Sequence, residues 1–386
     1  MASQTMPMSD RSTVEIPFLR AEFPPGIELE VSTVLQSGYV GAGGTVDAFE
    51  RSIGEYLGAS ELIVTSSCTA ALTLSYRAIG LKQNDLVLST PMTCAATNVP
   101  LLHDGIKIGW LDIDLSSGNV TPESVRRGFD HYPDARAVVV MDWGGTPCDH
   151  SAIAEACHSH GVPLVLDAAQ SFGATLAGKR YCADVDYTCY SFGPTKLFTS
   201  VEGGGLALGS NVAAKDSHRL RNLRWYGIGR ETRDRLRFWE YSFEDLGFRF
   251  VLNNVFASIG LKMLMKLDER LACHRTLAQR YDELLAGVPG LRSCSRQTGS
   301  LPNYWLYTVL VEQRERFLTK LHGCGVHAAT PHHRNDRLLA RWNRNDDCCD
   351  LPGVDSFDRD YVCLPIGPWV GQRDVERVCA LINSGW

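Results

Sequence analysis

The sequence lacks any apolar run long enough to span a bilayer, and its first residues contain no apolar secretory core. We therefore expect neither membrane insertion nor secretion, and we expect the protein to be cytoplasmic. An excess of positive charge is also absent, since the formal net charge is −6. This charge gives no electrostatic reason to expect nucleic-acid binding.

Spaced cysteine pairs are absent too, because no C-x-x-C occurs among the 13 cysteines. Several cysteines, such as Cys189, lie inside apolar runs, which favours buried thiols over disulfides. Cys148 and Cys157, with His158 and His160, have side chains that can bind metal. Their helical context argues against a metal site, so we expect none.

What the chain does contain is an ordinary globular composition, with 44% hydrophobic and 21% charged residues in a length of 386. Such a length can hold more than one hydrophobic core. We expect an amino-terminal arm over residues 1–25, a large domain over 26–255 and a smaller carboxyl-terminal α+β domain over 256–386.

Short apolar runs alternate with helical patterns between residues 60 and 210. Near-continuous apolar strands separated by amphipathic helices indicate a mainly parallel sheet covered on both faces. The predicted fold class is therefore α/β, with a mainly parallel seven-stranded sheet flanked by helices. The predicted strands are Leu62–Thr65, Leu86–Ser89, Lys107–Ile113, Ala137–Met141, Pro163–Leu166, Tyr187–Phe192 and Leu206–Leu208.

Two strand ends carry polar residues, and ligands of parallel sheets collect at the carboxyl ends of the strands. Near Ser67 and Thr69, hydroxyls and free N–H groups at a helix start suit a phosphate, although simple helix capping explains them equally well. Asp167 ends an apolar strand, with Gln170 close behind. Such a carboxylate is explained by a structural N-cap or by the protonated ring nitrogen of a cofactor.

A third strand end carries Lys196, in a turn between Pro194 and the glycines 203–205. Most lysines are solvated surface charges. The restricted backbone and the scarcity of neighbouring charges favour instead a partly desolvated, reactive amine. A phosphate pocket, a carboxylate for the ring nitrogen and a lysine amine are together what pyridoxal 5'-phosphate requires.

At these residues the chain resembles the DegT-type family of pyridoxal-phosphate-dependent sugar aminotransferases, which have the fold-type I architecture of aspartate aminotransferase. The resemblance covers nearly the whole chain. Its motifs occur in the order TSSCTAALTL, LVLSTPMTCAATN, VVVMDWGGTPCD, LVLDAAQSFGA, CYSFGPTKLFTSVEGGG, LRWYGIGR and ASIGLKML.

The resemblance implies a role for each site residue. Lys196 forms the Schiff base with the cofactor and moves the proton, Asp167 keeps the ring nitrogen protonated, and Gln170 lies against the ring or its hydroxyl. The phosphate is held by Ser191 and by the helix start. The candidate catalytic residues are Lys196 and Asp167, and the candidate cofactor-binding residues are Ser67, Cys68, Thr69, Cys94, Asp167, Gln170, Ser191, Lys196 and Arg249.

Four positions depart from the family pattern. Many members have glycine at Cys68, an aromatic ring at Cys94, and histidine or tyrosine at Gly193. Arg249 aligns with an asparagine that reaches the neighbouring subunit's cofactor phosphate. An arginine there serves either as a longer, charged phosphate donor or as an ordinary surface residue. The resemblance also implies a homodimer with shared active sites.

Two further polar stretches have open interpretations. Residues 219–237 contain seven arginines around Trp225, which form either a solvated helix face or a site for the diphosphate of a nucleotide sugar. The stretch Pro331–Asp336 either lines the substrate entrance or is exposed and idle.

The main functional hypothesis is an aminotransferase that moves an amino group, expected to come from glutamate, to the keto group of a nucleotide-linked sugar in amino-sugar, glycan or secondary-metabolite biosynthesis. A cyclitol ketone is the nearest alternative substrate. The second hypothesis is a cofactor-dependent sugar dehydratase, but relatives of that kind replace the lysine with histidine, so Lys196 argues against it. The third, a non-catalytic regulatory homologue, is disfavoured because Lys196, Asp167 and Gln170 are all present.

Overall fold

The computed structural model describes residues 15–228, 243, 245–345 and 349–386. Its main sheet is built from seven strands between residues 62 and 208. These are β1 (Leu62–Thr65), β2 (Leu86–Ser89), β3 (Lys107–Trp110), β4 (Ala137–Met141), β5 (Leu164–Asp167), β7 (Tyr187–Ser191) and β8 (Gly204–Leu208). The shorter strands are β6 (Thr175–Leu176), β9 (Leu291–Ser293), β10 (Ser300–Leu301), β11 (Tyr307–Val311) and β12 (Tyr361–Leu364).

Helices cover and connect these strands. Up to residue 223 they are α1 (Ile27–Ser37), α2 (Gly44–Leu57), α3 (Cys68–Ile79), α4 (Ala95–His103), α5 (Pro122–His131), α6 (His150–Ser159) and α7 (Ala213–Leu223), with a short 3₁₀ turn at Trp143–Gly145. From residue 254 onward they are α8 (Asn254–Leu264), α9 (Leu267–Leu285), α10 (Arg314–Gly323), α11 (Asn335–Leu338), α12 (Pro352–Asp360) and α13 (Gln372–Asn383). None of the described helices is long and apolar enough to cross a membrane.

The main sheet has the strand order β1-β8-β7-β5-β4-β2-β3. The pairs from β3 to β7 are parallel, and β8 runs antiparallel to both of its neighbours. The parallel strands are buried almost throughout, because the connecting helices cover both faces. The prediction of a mainly parallel seven-stranded α/β sheet is therefore confirmed.

Four of the seven strands differ from their predicted limits: β5 is Leu164–Asp167 instead of Pro163–Leu166, β7 ends at Ser191 instead of Phe192, and the other two differ for reasons of pairing. The third strand ends at Trp110 instead of Ile113, because Trp110 pairs with Ser89, the last residue of the neighbouring strand. The last strand begins at Gly204 instead of Leu206, because Gly204 already pairs with Thr65 on one side and Ser191 on the other.

The buried apolar side chains form two clusters. The larger surrounds the main sheet, and the smaller lies where β9, β11 and β12 pack against α9, α10 and α13. Trp305 and Tyr361, from the later part of the chain, pack into the larger cluster, so the two cores are in contact. The limits of the arm and of the two domains stay predictions.

Candidate active site

The site is assembled at the carboxyl ends of β4, β5 and β7. The strand register pairs Asp167 with Met141 on one side and with Cys189 on the other. Asp167 therefore lies in the middle of this edge, and the turn that carries Lys196 follows β7 directly. The parallel pairing brings together the two residues predicted to be catalytic.

Asp167 is a buried carboxylate with several donors, and its side chain is only 3% exposed. One oxygen accepts a hydrogen bond from the Thr97 hydroxyl at 2.6 Å, and the other accepts from the Ala169 N–H at 3.0 Å. Burial raises the pKa of Asp167, and these donors, with the charge of Lys196, oppose the rise. The next element after β5 is the short strand β6, so Asp167 is not the N-cap of a helix.

The Lys196 turn is fixed at both ends by buried rings. Phe192 and Phe198 pack edge to face with 5.2 Å between their ring centroids. The Ser200 N–H donates to the Phe192 carbonyl at 3.0 Å, and the Lys196 N–H donates to the Gly193 carbonyl at 3.1 Å. The turn is therefore held in one conformation by packing and by its own backbone.

The amine of Lys196 is partly buried, with Nζ 3.9 Å from the ring centroid of Trp305. Desolvation lowers the pKa of Lys196, and the Asp167 carboxylate opposes that fall. A lowered pKa increases the fraction of neutral amine near neutral pH. Neutral amine is the form that attacks a carbonyl or accepts a proton.

The proposed phosphate cradle is the start of α3. Ser67 caps this helix, because its Oγ accepts a hydrogen bond from the Ala70 N–H at 3.1 Å. Helix capping by Ser67 is thus confirmed, and a capped helix start remains an anion site through its backbone N–H groups. Cys68 is buried, which raises the pKa of its thiol, whereas Thr69 is exposed in the first turn.

Gly204, the first residue of β8, lies between this helix start and β7, the strand that precedes Lys196. A Cβ atom on Gly204 lies 2.4 Å from the Ser67 carbonyl carbon and 2.5 Å from the Cys68 nitrogen, so only glycine fits. Gly204 also pairs with Ser191. Ser67 and Ser191 therefore lie on two elements that meet at this glycine.

Gln170 is fixed at both ends of its amide. Its Oε1 accepts from the Gly144 N–H at 2.7 Å, and its Nε2 lies 3.1 Å from Nε2 of His332. Burial lowers the pKa of His332 to about 4, so the ring is neutral at pH 7 and its Nε2 accepts the amide proton. The polar stretch Pro331–Asp336 thus brings His332 to the site, while His333 is exposed.

Cys94 and Arg249 are both exposed. Cys94 is exposed at the residue before α4, and its side chain makes no cap hydrogen bond. Arg249 is exposed, with its guanidinium carbon 5.8 Å from the Trp225 ring centroid. The following carbonyl, of Phe250, accepts from the Ser66 N–H at 2.7 Å, so Arg249 lies beside the start of α3. The roles of both residues stay predictions.

At Gly193 there is open space. The nearest atom to a Cβ built there is Oγ of Ser191, at 3.4 Å. A larger residue at this position meets no backbone obstacle.

The described part of the arginine-rich stretch forms ion pairs. Arg221 and Arg224 both bind the Glu50 carboxylate, and Arg219 pairs with Asp245. Arg221 and Arg224 therefore join α7 to α2. The four arginines at positions 230, 233, 235 and 237 lie outside the described residues.

The four cysteine and histidine residues considered as metal ligands do not form one group. The His158 ring bonds Asp186 at 2.8 Å, and the His160 ring stacks on Phe129 with 4.1 Å between centroids. Cys148 lies instead with Asp142 and His150, and the ligand atoms of these three are within 4.8 Å of one another. The Asp142 oxygens already accept hydrogen bonds from the Cys148 N–H, the His150 ring and the Ser171 hydroxyl.

Thr97 and Trp305 contact the predicted catalytic residues but were not among the candidates from the sequence. Thr97 lies within the motif LVLSTPMTCAATN, and its position in the first turn of a helix at a strand end was a usable signal. Trp305 is more than one hundred residues from Lys196 along the chain, and no local pattern marks it.

Comparison with known proteins identifies the family. Residues 26–383 match the model of the DegT/DnrJ/EryC1/StrS aminotransferase family. The chain belongs to this family. It is therefore an aminotransferase.

Two curated relatives and two solved structures indicate the range of the family. The chain is 30% identical to a UDP-4-amino-4,6-dideoxy-N-acetyl-beta-L-altrosamine transaminase of Campylobacter jejuni, over 87% of this chain and 88% of the relative. It is 26% identical to the spore coat polysaccharide biosynthesis protein SpsC of Bacillus subtilis, over 92% and 93%. The sugar aminotransferase CalS13 of Micromonospora echinospora superposes with a TM-score of 0.88 at 31% identity, covering 96% of this chain and all of that one. The aminotransferase TlmJ of Streptoalloteichus hindustanus gives 0.88 at 28% identity, covering 96% and 99%.

Proposed function

We propose that this protein uses pyridoxal phosphate to move an amino group from glutamate to the keto group of a nucleotide-linked sugar. The observation that carries the proposal is the placement of Lys196, Asp167 and the start of α3 at one edge of the sheet. When bound, this cofactor supplies an electron sink that lets an amino group exchange with a carbonyl. The donor set fits it, with a buried carboxylate for the ring nitrogen, an amine and a helix start for the phosphate.

The proposal gives a role to each of three site residues. Asp167, held by Thr97 and Ala169, would serve as the acceptor for the ring nitrogen and would favour its protonated form. Lys196 would hold the cofactor through its amine and, as a free amine, would accept and donate the proton of the exchange. The hydrogen bond from the Gly144 N–H fixes the planar amide of Gln170 at the site.

Nucleotide-linked sugars are the proposed acceptors because relatives with different nucleotides share this fold and length. Their names include a UDP-sugar transaminase of Campylobacter jejuni, a dTDP-sugar 4-aminotransferase of Saccharopolyspora spinosa and a GDP-perosamine synthase of Vibrio cholerae. The diversity of nucleotides among them supports the class of substrate. It does not favour one nucleotide for this chain.

We also propose that two copies form a homodimer through the region around α1. No residue of α1 is buried, and two of its apolar residues, Leu29 and Leu35, are 68% and 56% exposed. Tyr39, just beyond, is 81% exposed. An apolar helix face left open in this way favours a second copy as its cover. The proposed contact of Arg249 with the partner's cofactor phosphate rests on this dimer.

Substitution of one exposed leucine tests the dimer. Leu35→Glu is expected to yield monomers in sedimentation equilibrium, because a charge is then buried in the interface. Leu338→Glu is the matched control, since Leu338 is also 56% exposed but lies on α11. A Leu35→Glu protein that remains dimeric would contradict the proposed interface.

Trapping with borohydride tests the covalent role of Lys196. The wild-type protein mixed with pyridoxal phosphate and reduced is expected to carry one adduct, located by mass spectrometry on the Lys196 peptide. Lys196→Ala is expected to lose that adduct and all transamination. Lys266→Ala, which removes an exposed lysine paired with Glu269, serves as the control. An adduct retained in Lys196→Ala would reject the assignment.

A further inference from the structure

A short segment ahead of β11, residues 303–306, bonds to three turns of the active site. We name it the bridge segment. Its backbone reaches the 3₁₀ turn, because the Asn303 N–H donates to the Gly145 carbonyl at 3.2 Å and the Leu306 N–H donates to the Gly144 carbonyl at 3.1 Å. The Gly144 N–H of the same turn donates to the Gln170 side chain, so the bridge segment supports the Gln170 amide through this turn.

The Asn303 side chain fixes the second turn. Its Nδ2 donates to the Gln170 carbonyl at 2.8 Å and to the Phe172 carbonyl at 3.0 Å. Its Oδ1 accepts from the Trp305 N–H at 2.8 Å. Asn303 is 1% exposed, and a Cβ on Gly145 lies 1.7 Å from its Oδ1, so this close contact requires glycine.

Trp305 reaches the third turn, which carries Lys196. Its indole Nε1–H donates to the Thr195 carbonyl at 2.7 Å, and its ring face lies 3.9 Å from Nζ of Lys196. The Trp305 side chain thus contacts both the backbone carbonyl just before Lys196 and the amine at the end of the Lys196 side chain. Trp305 is itself 4% exposed and is anchored by the Asn303 contact.

A tryptophan face attracts an ammonium more than a neutral amine, because the π-electrons interact with the positive charge. The contact in the structure is made by the free amine of Lys196. The titratable groups around Lys196 are Asp167, Cys68, Cys94 and His332. Among them, Asp167 provides the largest attraction to the ammonium, and the ring provides a further attraction from another element.

We propose that Trp305 is a positioning residue that holds the amine of Lys196 on its ring face whenever the lysine is not joined to the cofactor. In an exchange reaction the lysine is released once in every half-reaction. Without a second contact, the long and flexible side chain of Lys196 loses its position beside Asp167 when it is released. The inference rests on the proposed function for its role in turnover, but the contact itself belongs to the free protein.

The test uses cofactor-free protein, so that it does not depend on activity. The rate of acetylation of Lys196 by acetic anhydride is measured against pH by mass spectrometry of its peptide. In Trp305→Leu the apparent pKa of Lys196 is expected to fall by about one unit, the size expected of a desolvated cation–π contact. Trp305→Phe keeps a ring face and is expected to stay near the wild-type value.

The matched control is Trp342→Leu. Trp342 also stacks with a cation, Arg341 at 3.8 Å, but it is 51% exposed. An unchanged Lys196 pKa in Trp305→Leu overturns the proposal, as does an equal fall in Trp305→Phe or in Trp342→Leu. Because acetylation is read in protein without cofactor, these results remain distinct from a failure of the proposed aminotransferase reaction.

Discussion

Replacing Gly204 by alanine tests the link between the sheet and the phosphate cradle. The added Cβ lies 2.4 Å from the Ser67 carbonyl carbon and 2.5 Å from both the Ser67 oxygen and the Cys68 nitrogen. These are backbone atoms, so rotation of a side chain cannot relieve the overlap. Ordinary contact begins at 3.4 Å, which means that β8 and the start of α3 must separate by about 1 Å.

The structure resists that separation because Gly204 pairs with Thr65 on one side and with Ser191 on the other. Overpacking of a rigid core costs about 1–3 kcal/mol, and we expect the free energy of unfolding to fall by that amount. Displacing the helix start by about 1 Å also spoils hydrogen bonds to an anion. Since a bond to a charged group contributes about 1.5–3 kcal/mol, affinity for the phosphate is expected to fall at least tenfold.

Two measurements separate these effects. Urea unfolding gives the stability, and titrations with pyridoxal phosphate and with pyridoxal, which lacks the phosphate, give the affinities. Gly204→Ala is expected to weaken only the binding of pyridoxal phosphate. Gly205→Ala is the control, because its nearest contact is the edge of the Phe192 ring at 3.3 Å. Wild-type affinity for pyridoxal phosphate in Gly204→Ala would refute the cradle.

Two further predictions concern protons. Burial lowers the pKa of His274 from 6.5 to about 4, so the unfolded chain binds more protons between these values and stability falls as the pH drops through them, by up to about 3 kcal/mol. His274→Gln is expected to flatten the slope of unfolding free energy against pH, measured in urea, and an unchanged slope would contradict this. The Thr97 hydroxyl lowers the pKa of Asp167, so Thr97→Val is expected to move the acidic limb of kcat/KM to higher pH by about one unit. A limb that stays in place would show that this hydrogen bond does not control the carboxylate.

The parts of the site that lie at strand ends were predictable from the sequence. Asp167 and Lys196 each follow an apolar run, and parallel pairing brings such ends together, so local patterns located them. The capping serine, Ser67, was also visible as one of two open interpretations, and the structure has it capping α3.

The parts that depend on distant segments were not predictable. Trp305 reaches Lys196 from the end of a loop in the second half of the chain, and no periodicity carries that information. Charge patterns were ambiguous for the same reason: the arginine-rich stretch suited either a solvated helix face or a diphosphate site, and two of its arginines, Arg221 and Arg224, bind Glu50 on α2. Strand limits also depended on neighbours, since Gly204 became a strand residue through pairing despite a low strand propensity.

Transfer of labelled nitrogen tests the central claim most directly. The protein is incubated with pyridoxal phosphate, a panel of keto sugars linked to different nucleotides, and glutamate that carries heavy nitrogen in its amino group. The account predicts that the heavy nitrogen appears in an amino-sugar product by mass spectrometry, and that Lys196→Ala transfers none. Heavy nitrogen that reaches none of the nucleotide-linked sugars, from a protein that has bound the cofactor at Lys196, would contradict the account.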